Sequence, residues 1–196
     1  IEKSNVIREE LGDKGGMSNS FSQLGNFYYY KDEYEKSIQY HKKSLALKEE
    51  IDYKQGMKYS LQTIGVIYFE KGDYEKALEI WDKLTAEKLK KYPPNHPKFR
   101  GLYNSLGVLH MQMDNADKAL EFLLKTLPID IKRLGPKHPT VALVYNNIAA
   151  VYGRNDEHDK ALGVELSASI REEIGLIQGI TNPFQLESFL KGSQTP

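Results

Sequence analysis

Thr63-Ile64-Gly65-Val66-Ile67-Tyr68 and, beyond the break Lys71-Gly72-Asp73, Tyr74-Glu75-Lys76-Ala77-Leu78 decide the fold. Apolar residues recur at helical spacing in both stretches, and the break holds turn formers, so the pair reads as two antiparallel helices. The unit recurs. Its first half returns as Gln23-Leu24-Gly25-Asn26-Phe27-Tyr28, Ser105-Leu106-Gly107-Val108-Leu109-His110 and Asn147-Ile148-Ala149-Ala150-Val151-Tyr152. Its second half returns as Tyr34-Glu35-Lys36-Ser37-Ile38, Ala116-Asp117-Lys118-Ala119-Leu120 and His158-Asp159-Lys160-Ala161-Leu162. Leu24, Ile64, Leu106 and Ile148 are 40, 42 and 42 residues apart. Self-similarity at such a period marks a stacked array of helical units.

Gly25, Gly65 and Gly107 lie inside the first helices. Each costs about 1 kcal/mol relative to alanine, so three in one register require a reason. Close approach of the second helix supplies it. The facing position is small as well, as Ser37, Ala77, Ala119 and Ala161, and small against small brings two axes to about 8–9 Å.

The order aromatic, three residues, Leu-Gly, three residues, Tyr, and then a small residue about nine positions on resembles the tetratricopeptide repeat. Units of 40 to 42 residues exceed the family's usual length of about 34. They are similar to the long repeats of kinesin light chain, of nephrocystin-type proteins and of the Leu-Gly-Asn adaptors of spindle orientation. Leu134-Gly135-Pro136-Lys137-His138-Pro139 is similar to the kinesin light chain connector, and Ile7-Arg8-Glu9-Glu10-Leu11-Gly12-Asp13-Lys14 to the adaptor type. The resemblance implies an all-α fold, a right-handed superhelical solenoid of antiparallel helix hairpins. It also implies a protein-binding scaffold without catalytic activity or cofactor.

The expected organisation is a single array over 1–190, with repeats at 18–52, 58–92, 100–134 and 142–175. Ile7 to Gly12 matches Ile170 to Gly175, so 1–12 reads as the tail of a preceding repeat. Gly179 to Phe184 echoes Gly16 to Phe21, but Glu187-Ser188 replaces Leu-Gly. That predicts a degraded capping helix at 181–190, followed by a disordered tail at 191–196. Pro128 falls inside the second helix of the third repeat and is expected to kink it.

Composition excludes several function classes. Lys plus Arg equals Asp plus Glu, 27 each, whereas nucleic acid and anionic membranes call for a basic face. No run of 18 apolar residues offers a membrane span. With no cysteine there is no thiolate metal ligand, disulfide or cysteine nucleophile. The chain starts at Ile1 without methionine or a charged-then-apolar leader, as an excised segment would, and a cytoplasmic location is expected.

Catalytic candidates are sparse: no phosphate loop, nucleophile elbow or framed carboxylate pair is present. His96 and His138 are 42 apart in Asn-His-Pro and Lys-His-Pro connectors and read as loop histidines repeated with the unit. Asn155-Asp156-Glu157-His158-Asp159 fits no metal-ligand spacing, and its acids suit a helix start. The basic cluster Lys83, Lys88, Lys90, Lys91, Lys98 and Arg100, around Tyr92-Pro93-Pro94-Asn95, reads chiefly as a solvated helix end.

The first helices are more informative. With Leu24, Ile64, Leu106 and Ile148 as position 7, positions 4, 7, 8 and 11 share one face at 100° per residue. Positions 2, 5, 6, 9, 12 and 13 lie roughly 160° away, on the face that lines the concave groove in the tetratricopeptide family. Only Glu70 and Arg154 among these 24 residues are charged, against about seven expected at the chain's 28%. An ordinary solvent face is rich in Lys and Glu. Here the face is amide and aromatic. The candidate peptide-binding residues are Asn19, Gln23, Asn26, Tyr29, Tyr30, Tyr59, Gln62, Phe69, Asn104, Met111, Asn146, Asn147 and Arg154.

The expected partner is an extended protein or peptide segment, with no nucleic acid, metal or cofactor. A sensor domain of a larger signalling enzyme or transcription regulator is one alternative, and self-association through the cut ends is another.

Overall fold

Some helix starts carry a side-chain cap and others do not. Asp13 opens α1 (Lys14–Tyr29), its Oδ1 accepting the Gly16 N–H at 2.8 Å. Four helices of similar size follow: α2 (Tyr34–Glu50), α3 (Lys54–Glu70), α4 (Tyr74–Leu89) and, after a 3-10 turn at Pro97–Phe99, α5 (Arg100–Gln112). Asn115 caps α6 (Ala116–Leu134) by accepting from the Lys118 N–H at 3.3 Å, and α7 (Pro139–Arg154) completes the order.

The repeated His-Pro pairs are caps. Nδ1 of His138 accepts the Thr140 N–H at 3.2 Å, and Nδ1 of His96 accepts the Lys98 N–H at the same distance. Pro139 and Pro97 fill the first position of their helices, where a missing N–H costs nothing. Within hairpins the chain reverses through Asp32, Gly72 and Asp114 at φ 57°, 83° and 54°, the left-handed conformation that ends helices.

The computed structural model describes residues 8, 10–155, 160, 161 and 164. Between the connecting turns these residues are helical, with no strand among them. The second helix of the fourth hairpin apart from isolated positions, the expected capping helix at 181–190 and the tail at 191–196 lie outside the described residues. Of the expected partial repeat at 1–12, Arg8 and Glu10 are helical and Gly12 takes φ 67°.

Two compact units divide the chain, Ile1–Glu87 and Lys88–Pro196. In the first, α2 packs between α1 and α3. In the second, α6 packs between α5 and α7, around Leu123, Leu127, Val141, Val144, Tyr145, Ile148, Val151 and Tyr152, with Val164 beside them. Pro128 sits exposed on α6, which continues unbroken to Leu134.

The glycine register works differently from a plain small-on-small crossing. A Cβ on Gly25 would lie 2.6 Å from the His41 ring, one on Gly107 would lie 2.7 Å from Cγ of Leu123, and one on Gly65 would collide with the Trp81 indole. Each glycine is therefore a notch that receives a large side chain, four residues beyond the small residue. The small residue still contributes in the first hairpin, where Ser37 Oγ donates to the Gly25 carbonyl at 2.7 Å.

Candidate functional site

The helical phase read from the sequence holds. In the second unit all eight inward positions of α5 and α7 are buried: Tyr103, Leu106, Gly107, His110, Tyr145, Ile148, Ala149 and Tyr152. In the first unit Gly25, Ile64 and Gly65 are buried and the other five are half-buried. None of the 24 opposite positions is buried.

In the first unit α1 and α3 border a cleft of about 340 Å³. Five of the candidate residues meet there, Asn26, Tyr29, Tyr30, Tyr59 and Gln62, joined by Thr63, Val66 and Ile67. Tyr30 is 83% exposed and Tyr59 56%, an unusual display for rings of this size. The Tyr29 and Tyr30 rings stand 5.7 Å apart at 64°. Burial, and then the nearby Glu70, Tyr30 and Asp32, hold the Tyr29 phenol above its usual pKa. Asn19 and Gln23 are exposed on the same face of α1 but do not line the cleft. Phe69 turns toward Tyr74 and Trp81, with ring centroids at 5.7 and 6.0 Å.

In the second unit a smaller cleft of about 180 Å³ joins the ends of α5 and α7. It brings together Met111 and Arg154 with Asp114, Ala116, Val151 and Asn155. Nη1 of Arg154 donates to the Met111 carbonyl at 2.8 Å, which ties the two helix ends. Asn104 and Asn147 are half-buried and Asn146 is exposed on the same faces, outside this cleft.

Part of the basic cluster serves internal contacts. Lys83 pairs with Glu79 at 2.6 Å. Lys88 donates to the Lys98 carbonyl at 2.9 Å, Lys98 reaches the Tyr92 hydroxyl, and Nε of Arg100 donates to both carboxylate oxygens of buried Asp130 at 2.8 and 3.1 Å.

Sequence reasoning missed a polar core in the first unit. Nζ of buried Lys48 donates to Ser22 Oγ at 3.0 Å and Ser60 Oγ at 2.9 Å, with no carboxylate among its partners. Ser44 Oγ donates to the Ser18 carbonyl at 2.7 Å and so accepts from the Ser22 hydroxyl at 2.8 Å. Buried His41 finds no hydrogen-bond partner for either ring nitrogen among the described residues. Burial, reinforced by the Lys48 charge, pushes its pKa down to about 4. Burial also holds the Lys48 ammonium below its usual range. A signal existed: Lys48, Lys88 and Asp130 occupy one repeat position, 40 and 42 residues apart, and an exposed position carries no such demand for polar partners.

Among the described residues, no three His, Cys, Asp or Glu side chains converge as metal ligands. No helix among them is long and apolar enough to cross a membrane.

The tetratricopeptide repeat family model matches residues 16–83 and 99–168. Among solved structures, BtubC (BKLC) from P. vanneervenii is similar at TM-score 0.70 and 17% identity, over 95% of this chain and 74% of that one. A putative kinesin light chain from Podosopora anserina with nearly identical repeats (its Q17M form) is similar at TM-score 0.65 and 18% identity, over 79% and 74%. The same protein without that designation gives 0.62 at 17%, over 80% and 77%. At these identities the likeness is one of fold. No curated protein matches the sequence significantly.

Proposed function

The chain belongs to the tetratricopeptide repeat family, whose fold is a protein-interaction scaffold, and we propose that it holds extended peptide segments of a partner on the open faces of its first helices. Each unit supplies its own surface, α1 with α3 in the first and α5 with α7 in the second. The observation that carries this is the pairing of composition with exposure. Twelve positions in each unit escape full burial, yet where a solvated helix bears Lys and Glu they bear amides, joined by rings in the first unit and by small or aliphatic residues in the second. Asn and Gln offer a donor and an acceptor each, matching peptide N–H and C=O groups. Tyrosine adds apolar contact at low conformational cost.

Asn104 and Asn146 test the second surface. Replacing both by alanine leaves partner amides unpaired, at about 1–3 kcal/mol for each group buried in the complex. A partner peptide mapped by pull-down is titrated into wild type and the double variant, with circular dichroism as the folding control. Equal affinities move the surface elsewhere, most directly to the connector around Lys88 to Arg100. Sedimentation of the free chain separates peptide capture from self-association, which would bury the same faces.

A further inference from the structure

We propose that the cleft between α1 and α3 is an aromatic cage that takes a cationic side chain, an arginine or lysine of the partner peptide. The proposal rests on the peptide-surface reading and adds the chemistry of the guest. Three tyrosines, Tyr29, Tyr30 and Tyr59, line the cleft. The Tyr29 and Tyr30 rings stand edge to face, 5.7 Å apart at 64°, and Tyr59 borders the same space from α3. Ring faces carry negative potential and attract cations.

Charge around the cleft is unbalanced in the same sense. Glu70 and Asp32 both act on the Tyr29 phenol. Among the described residues Glu70 has no ion pair, and Asp32 accepts from the Tyr34 hydroxyl at 3.3 Å without one. The neighbouring cations are engaged elsewhere. Lys71 pairs with Glu35 at 2.9 Å and with Asp73 at 3.5 Å, and Lys31 sits 4.7 Å from the Phe27 ring centroid. Asn26 and Gln62 line the same cleft, and each amide carries an acceptor suited to the N–H groups of a guanidinium or ammonium. Both carboxylates are solvent-exposed, so they add attraction for a cationic guest and repel an acidic one. One positive charge with several donors answers the rings, the carboxylates and the amides together.

The test uses the full chain and glycine pentapeptides, blocked at both ends, with arginine, lysine, citrulline or leucine at the centre. Binding is read from NMR shifts of tyrosine ring resonances, assigned with Tyr30→Ala and Tyr59→Phe. The arginine or lysine peptide is expected to shift these resonances. Citrulline, the neutral isostere of arginine, should bind roughly three- to tenfold more weakly. Glu70→Gln should weaken the cationic peptides by a similar factor and leave leucine unaffected, and raising NaCl from about 50 to about 500 mM should do likewise. Tyr30 is highly exposed, so Tyr30→Ala should lose cation binding with an unchanged helix signal. Equal binding of citrulline and arginine at these tyrosines overturns the cage and keeps the peptide surface. No shift with any peptide also overturns the cage, and the Asn104 and Asn146 titration then decides the surface separately.

Discussion

The two units fill matching positions of one hairpin frame with different materials. Where α2 of the first unit presents Ser37, His41, Ser44 and Lys48, α6 of the second presents Ala119, Leu123, Thr126 and Asp130 at the matching positions. All eight are buried. The frame survives both fillings because its register comes from the glycine notch and the left-handed turn, which need shape rather than a given polarity. The energetic consequences differ. A leucine in the notch brings transfer free energy with it, whereas a neutral imidazole without partners carries a desolvation penalty. Among the described residues each unit also buries one charged side chain, and the two are handled in different ways. Asp130 has the Arg100 guanidinium across two oxygens, while Lys48 has hydroxyls alone.

The strongest test of this contrast is Arg100→Met. It strands the Asp130 carboxylate, and breaking a buried pair costs about 3–5 kcal/mol. The lower end applies, because the Arg100 side chain stays 30% exposed. The loss should appear in the helix signal of thermal unfolding and largely spare the fluorescence of Trp81, the chain's single tryptophan, which lies in the first unit. A shift confined to fluorescence would break the assignment of the pair to the second unit.

Acidification comes next. The unfolded chain protonates His41 near 6.5 and the folded chain only near 4. Stability held above pH 6.5 is therefore lost as pH falls toward 4, by at most about 3 kcal/mol. The groups facing His41 sharpen this, since α1 presents Gly25 and the charge acting along α2 is the like charge of Lys48. Trp81 fluorescence should report unfolding at a lower temperature than circular dichroism at pH 5, and the gap should close in His41→Leu. A gap of equal size in both proteins would remove His41 from the account.

Gly65→Leu fills the notch that the Trp81 indole occupies, and overpacking of this kind costs about 1–3 kcal/mol. An unchanged midpoint of denaturation would contradict the notch. The smallest effect has the opposite sign. Lys48→Met removes a buried cation that lacks a counter-charge, and a gain of about 1 kcal/mol in the first unit is expected. Wild-type stability should rise with pH as Lys48 loses its proton, because its folded pKa lies below the unfolded one. That alkaline rise should be absent from Lys48→Met, and its persistence there would point to another lysine.

Much of this frame was legible in the residues. The period and the alternation of faces arise from local geometry that repeats in all four units, and the glycine register declares itself in three of them. The unexposed contents of the first unit did not. Lys48 and Ser44 are residue types found mostly at surfaces, and nothing local distinguishes a buried lysine from a solvated one. The notch was half legible: Gly65 announced a close approach, but the indole that fills it sits one turn beyond Ala77, the residue to which pattern matching pointed. His96 and His138 looked like connectors because histidine is not a habitual cap, although proline at the next position was a usable sign. Of the peptide-binding candidates, the sequence supplied the face but not the cleft. Thr63, Val66 and Ile67 complete it from α3, and that juxtaposition depends on how two repeats pack.

Each notch and the side chain that fills it lie within one hairpin: Gly25 with His41, Gly65 with Trp81, Gly107 with Leu123. A hairpin thus carries its own alignment key and borrows none from the repeats beside it. Duplication, deletion or transplantation of a whole hairpin preserves lock and key together, so an array of this kind can change length by unequal crossing-over without re-tailoring its helix pairs. Only the surfaces between hairpins would then have to be renegotiated, which is where new recognition faces can arise.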